Sequence, residues 1–261
     1  MISIITLPFL TCVLLVLIHV YFGSFVLKRG IIFIDLALAQ WAALGYIVGT
    51  LLHIESPSIL FCIGFGFTLI ASIFLTLTEP LFKKENLHEA LIGVTYIAAI
   101  TFATALISST QIEAHHLKDM LTGHLLFIDG SELTIALILY SIIALILLKI
   151  HPFLINSKSK LRDITFYVLF GLVVTSSVKM VGLLLVFSFL VLPLLSVILF
   201  TKDLSKQLKL SWIIGIIASL VGLFGSFIVD IPPSFTVIIS LISCFLISVG
   251  IYLYRTFKLT K

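Results

Sequence analysis

The feature that most constrains this chain is the repetition of apolar runs about 20 residues long. A helix of that length spans about 30 Å, enough to cross the hydrocarbon core of a bilayer. The runs fall near 5–27, 31–52, 58–78, 89–109, 131–150, 164–179, 182–200, 211–229 and 235–254. Charge is correspondingly scarce. Of 261 residues, 16 are Lys or Arg and 12 are Asp or Glu, whereas a soluble domain carries about a quarter charged. With 61% apolar residues and a mean hydropathy of +1.29, the chain cannot clothe itself in water-facing side chains. A soluble enzyme, a disordered chain and a basic nucleic-acid binder are excluded. The net charge of +4 is spread over short separated loops and is no nucleic-acid signal. What remains is an all-α polytopic membrane protein, whose backbone polar groups are satisfied within helices.

Cys12, Cys62 and Cys244 lie singly in apolar runs, so neither a disulfide framework nor a thiolate zinc site is expected. The first basic pair, Lys28 and Arg29, follows the first apolar run. A secretory signal has its charge before that run, so a retained span is expected. No G-x-x-x-x-G-K-[ST] loop occurs. The sixth and seventh runs are the weakest; with Lys179 near their middle they read as two spans or as one broken element, giving about nine spans, or eight if one run is re-entrant.

Loop charges give the orientation. With the N-terminus outside, the inner side holds Lys28, Arg29, Lys83, Lys84, Lys149, Lys158, Lys160, Arg162, Lys202, Lys206, Lys209, Arg255, Lys258 and Lys261, which is 14 of the 16 basic residues. Only Lys118 and Lys179 lie elsewhere, in keeping with the positive-inside rule. An odd span count then places the C-terminus inside. The outer side carries Glu55, Glu113, Asp119, Asp129, Glu132 and Asp230. Such a field draws cations or a basic partner, or the acids simply fall where no rule forbids them. No loop is long enough for a soluble domain, although 110–130 has room for a turn or two of interfacial helix.

Ionisable groups at membrane depth are the functional signal, because each costs about 2.5–3.5 kcal/mol at a span centre on insertion scales. Asp35 lies five residues into the second span, in F-I-D-L-A-L-A-Q-W-A-A-L-G, and Gln40 follows five residues on. The two are about 140° apart on a regular helix, so a π-bulge or local unwinding is needed to join them in one cation site. The other reading is an interfacial aspartate near Lys28 and Arg29. His19, in the first span, is a packing residue or an imidazole ligand. Glu89, Gly93, Tyr96, Ala103 and Thr104 share one face of the fourth span, broken by Ile100. That face lines a pathway or packs a neighbouring helix. Residues 201–211 place Leu204 and Leu208 four apart among Lys202, Asp203, Lys206 and Lys209. This predicts a short amphipathic helix that docks in a groove of a cytoplasmic partner, or a solvated loop. V-D-I-P-P-S-F at 229–235 reads as an outer turn, and His115, His116 and His124 lie in or beside the longest outer loop.

Five segments in series resemble one family, the permease subunits of ABC-type zinc, manganese and iron importers: 23–45 (G-S-F-V-L-K-R-G-I-I-F-I-D-L-A-L-A-Q-W-A-A-L-G), E-A-L-I-G at 89–93, D-M-L-T-G-H-L-L at 119–126, V-K-M-V-G-L-L-L-V-F-S-F-L-V-L-P at 178–193 and D-I-P-P-S at 230–234. The resemblance implies a bundle like that of the cobalamin importers, a single permease domain over 1–261, and residence in the plasma (inner) membrane of a prokaryote. It implies a homodimer in membrane lipid, two cytoplasmic ATPase subunits that bind ATP, an extracytoplasmic metal-binding protein and no nucleic acid. The chain itself would be no enzyme and hold no permanent cofactor. It would pass a divalent metal, zinc or manganese or iron, along Asp35, Gln40, His19 and Glu89. Lys202, Asp203, Leu204 and Leu208 would be the coupling helix. The family pattern has a histidine four residues after the aspartate. Here the comparable position holds Gln40, at a spacing of five, and neutral amide oxygens suit ions harder than zinc. A cation channel or secondary transporter working without an ATPase is the alternative. An intramembrane enzyme would need an H-E-x-x-H, G-x-S-x-G or similar motif that is not present.

Overall fold

A computed structural model describes residues 2–83, 87–108, 123–156 and 159–259. Among these the chain forms nine α-helices and one 3-10 turn, Leu125–Phe127. The helices are α1 Ile2–Arg29, α2 Ile34–Leu51, α3 Pro57–Lys83, α4 His88–Ser108, α5 Gly130–Asn156, α6 Lys160–Val181, α7 Leu183–Ile198, α8 Leu204–Val229 and α9 Pro233–Leu259. Eight are long and apolar enough to cross a membrane. The other, α7, has 16 residues and is about 24 Å long at 1.5 Å per residue. The choice between nine spans and eight thus resolves into eight full-length helices and one short one.

Glycines in the left-handed region divide the chain where the apolar pattern alone is ambiguous. Gly30 (φ 67°) follows Arg29 and ends α1, and Gly182 (φ 83°) separates α6 from α7. An L-residue there costs about 1–2 kcal/mol. By contrast Pro8, Pro80, Pro152 and Pro193 lie inside helices, as membrane spans tolerate. Two boundaries differ from the sequence reading. The turn at 31–33 delays α2 to Ile34, so Asp35 is its second residue, not the fifth of a span. The short helix expected at 201–211 is the opening of α8, which runs unbroken to Val229. Asp203 caps it by accepting from the Ser205 amide at 2.9 Å, and no glycine or proline follows before Gly215. The interfacial helix expected within 110–130 falls mainly on 109–122, outside the described residues.

The chain forms two compact units. The first comprises Met1–Arg29, Thr122–Leu137 and Met180–Lys261. In it α1 packs on α7 and α8, α9 packs on the same two helices, and the 3-10 turn rests on α1 and α9. The approach of α1 to α7 is closest at Gly23, where a Cβ would overlap the Leu190 carbonyl oxygen. The Trp212 indole donates to Leu17 O at 3.2 Å, tying α8 to α1. Because a backbone carbonyl cannot retreat as a side chain can, Gly23→Val should cost about 1–3 kcal/mol or more, read as a fall in the thermal unfolding midpoint in detergent.

The second unit comprises Gly30–Leu121 and Ile138–Lys179. Here α2 packs against α3 on one side and α4 on the other. The α3 side is built from small residues: Gly45 lies on Ile63 and Gly64, and Gly49 on Leu60 and Ile63. In lipid, where apolar burial gives no preference for helix over tail, such close contact is what drives helix association. On the α4 side Leu44, Ile47 and Ala103 form a buried cluster flanked by Trp41 and Phe67, and the Trp41 indole donates to Thr95 O at 3.2 Å. The chain's two tryptophans thus each fasten one unit. A buried hydroxyl pair, Thr68 Oγ1 to Thr175 Oγ1 at 3.0 Å, joins α3 to α6, and Tyr140 to Ser176 at 2.9 Å joins α5 to α6.

Candidate functional site

Asp35 in the second unit is fully buried (0% exposed). Neither carboxylate oxygen has a hydrogen-bond partner among the described residues. A buried acid in that state is a liability to folding and needs a reason to be there. It lies in the first turn of α2, which has no side-chain cap bond from Phe33. Gln40 is also buried and its Oε1 is likewise unpartnered. The helix runs regularly from Ile34 to Leu51, without the π-bulge that would unite the two side chains, so the offset of about 140° between them stands.

Glu89 opens α4, half-buried, with Oε1 unpartnered. Beside it His88 Nδ1 is 3.9 Å from Glu79 Oε1 of α3. The face of α4 that α2 and α3 bury consists of Leu91, Ile92, Thr95, Ala99 and Ala103. Of the stripe expected to line a pathway, Gly93 and Tyr96 are half-buried, Ala103 sits in the apolar cluster, and Thr104 is exposed with its hydroxyl on Ile100 O. The stripe is therefore packing at Ala103 and surface at Thr104. His19 belongs to the first unit, buried in α1 with Nδ1 2.9 Å from Leu15 O. Within neither unit do three His, Cys, Asp or Glu side chains converge among the described residues.

One set of polar residues escaped the sequence reading. Thr68, Ser72 and Thr76 lie at successive i+4 positions of α3 and all are buried. The signal was present, in F-T-L-I-A-S-I-F-L-T at 67–76, as hydroxyls at helical spacing within an apolar run.

At the start of α8, Lys202, Asp203 and Lys206 are exposed, Leu204 and Leu208 half-buried. The segment is firmly held. Gln207 Nε2 donates to Thr201 O at 2.8 Å. Phe200 packs edge-on against Tyr252 of α9, 6.2 Å between centroids, under the Arg255 guanidinium at 5.8 Å.

Two of the acids counted on the outer side have local structural roles. Asp129 accepts from the Glu132 amide and the Ser131 hydroxyl, both at 2.7 Å, and these bonds hold its carboxyl below the ordinary value. Asp230 closes α8 in a left-handed conformation (φ 56°). Near it, within the first unit, a cavity of about 420 Å³ is lined by residues that include His124, Leu125, Phe127, Asp230 and Pro233. His115 and His116 lie outside the described residues.

A multi-span helical chain with an unpartnered acid buried beside a small-residue helix seam has the build of a transport permease of the membrane. A family model described as the ABC 3 transport family matches residues 1–251, and the chain belongs to that family. It is an integral, multi-pass plasma-membrane protein. It is similar to the "Manganese transport system membrane protein MntC" of Listeria monocytogenes, 24% identical over 225 residues, covering 80% of this chain and 76% of that one. It is similar also to the "Manganese import system permease protein ScaB" of Streptococcus parasanguinis, 24% identical over 242 residues, covering 87% and 82%. Among solved structures, PsaBC from Streptococcus pneumoniae in complex with Fab shares the fold, with a TM-score of 0.76 at 20% identity over 94% of this chain and 90% of that one.

Proposed function

We propose that this chain is the membrane-spanning subunit of an ATP-driven importer of divalent metal ions, with manganese or iron as cargo, residues 1–261 acting as one permease domain. The observation that carries the reading is Asp35, a fully buried carboxylate with both oxygens unpartnered. An acid buried inside a membrane protein without an internal partner is the kind of group that marks an ion pathway. A divalent ion shedding water at that point would recover part of its hydration from the carboxylate, and the carboxylate would gain the counter-charge it lacks. Gln40 as neighbour in sequence favours an oxygen-preferring ion over zinc.

Hydrolysis of ATP would take place on cytoplasmic partner chains. They would engage the head of α8 at Lys202, Asp203, Leu204 and Leu208, on the side where the loop charges put the cytoplasm. An extracytoplasmic metal-binding protein would deliver the ion to the opposite face, and a second copy of the permease would complete the assembly. The relatives named for manganese transport support the cargo class.

Reconstitution tests the whole reading. Permease, ATPase and binding protein in liposomes should accumulate manganese(II) only when ATP is present on the ATPase side. Uptake that runs on an ion gradient, without nucleotide and without a co-purifying ATPase, would instead establish a secondary transporter.

A further inference from the structure

Helix register brings the α3 hydroxyls to the level of Asp35. Along α2 the residues that meet α3 are Leu38, whose carbonyl lies 3.5 Å from Thr68 Oγ1, then Gly45 against Gly64 and Gly49 against Leu60. The pairing is antiparallel: 49 with 60, 45 with 64, 38 with 68. Continued by one turn, it sets Asp35 level with Ser72. The angle agrees. At 100° per residue Asp35 is about 60° from Leu38 and about 20° from Ala42, on the α3 side and away from Trp41 and Leu44, which meet α4. From the other flank α6 closes on the same two α3 residues. Thr175 bonds Thr68 at 3.0 Å, and a Cβ on Gly171 would lie 2.7 Å from Thr68 Cγ2 and 3.7 Å from Ser72 Oγ.

Ser72 donates to Thr68 O at 2.8 Å, which leaves its two lone pairs able to accept or coordinate. Thr68 Oγ1 lies 3.0 Å from Thr175 Oγ1, 3.1 Å from Gly64 O and 3.5 Å from Leu38 O. Neither hydroxyl is hydrogen-bonded to Asp35, whose two oxygens have no partner. A carboxylate left without a donor is unfavourable for a lone acid and suited to a cation.

We propose that Ser72 and Thr68 of α3 supply further oxygen ligands to the cation that Asp35 takes, and that these neutral hydroxyl oxygens set its preference for a hard divalent ion over zinc. The proposal rests on Asp35 being the ion site. Uncharged oxygen donors favour manganese-like ions, whereas zinc prefers imidazole or thiolate.

The test is equilibrium binding of manganese(II) to the purified permease–ATPase complex, followed by electron paramagnetic resonance, with zinc(II) as competitor. Ser72→Ala and Thr68→Val should each weaken manganese(II) binding about tenfold, and Thr68→Ser should restore it. Ser72→Cys, nearly the same size, should shift the zinc-to-manganese preference towards zinc by a similar factor. It gives a reading even if the alanine variant fails to assemble with the ATPase. Parental affinity and preference in Ser72→Ala, Thr68→Val and Ser72→Cys, alongside lost binding in Asp35→Asn, would overturn the hydroxyl ligands and leave the Asp35 site standing. Parental binding by Asp35→Asn would overturn both.

Discussion

Asp35→Ala is expected to reduce metal uptake by more than about 100-fold, while the subunit still reaches the membrane and co-purifies with its ATPase. Even partners one shell removed from a metal are worth about 10–100-fold in affinity, so loss of the only carboxylate at this level of α2 should exceed that. The same variant should also melt at a higher temperature than the parent. Asp35 is buried with two unpartnered oxygens, and deleting such a group relieves about 1–3 kcal/mol of desolvation penalty. A residue retained for packing would show the reverse pair, lower stability with uptake intact. Opposite signs in the two assays are what an ion site at the expense of stability requires, and normal uptake by Asp35→Ala would refute the site.

Leu204→Glu combined with Leu208→Glu should abolish both co-purification with the ATPase and ATP-driven uptake. The two leucines stand one turn apart at the head of α8, half-buried, among exposed Lys202, Lys206 and Lys209. A helix face of that kind docks by placing its apolar residues in a partner's groove, and a carboxylate there is left without compensation. Ser205→Ala is the control. It removes only an exposed hydroxyl beside the leucines, keeps the backbone amide that Asp203 caps, and should leave docking largely unaffected. Metal binding at Asp35 should survive the double substitution. Because α8 is one helix of 26 residues, about 39 Å long, displacement at Leu204 carries as a rigid movement to Ser226 and Asp230 at its far end. The separate short helix expected from sequence would have lost that motion in a joint.

Much of the architecture was legible in the sequence, since lipid allows little other than apolar helices and the runs mark them directly. Lys179 marked a weak point between two short apolar runs, and the positive φ of nearby Gly182 accounts for the break. The start of α8 was misread because its first turns are polar, and polarity in a loop looks like polarity in a capped, exposed helix end. Asp35 stood out by charge alone. Its setting did not, because the register of α2 on α3 is fixed by Gly45 and Gly49, and glycine pairings announce themselves only in three dimensions. The same holds for Thr68 and Ser72, whose positions are conspicuous only once α2 and α6 are known to flank them. Glu89 was the converse case: its stripe, broken on a helical wheel only at Ile100, ends against Leu44 and Ile47 at Ala103.

The first unit gathers its helices from the beginning, the middle and the end of the chain, and this bears on how the protein is made. During synthesis α1 enters the bilayer long before α7 and α8, the helices that finally cover it, have been translated. It must wait in lipid with Thr11, His19 and Ser24, all buried in the finished unit, still uncovered. Each of these is provided for within α1 itself: Thr11 bonds Leu7 O at 2.9 Å, His19 Nδ1 lies 2.9 Å from Leu15 O, and Ser24 bonds Tyr21 O at 2.7 Å. The orphaned helix therefore presents few unsatisfied polar groups to the hydrocarbon. It can persist as an inserted intermediate until its partners leave the ribosome, with little need of a chaperone to hide it.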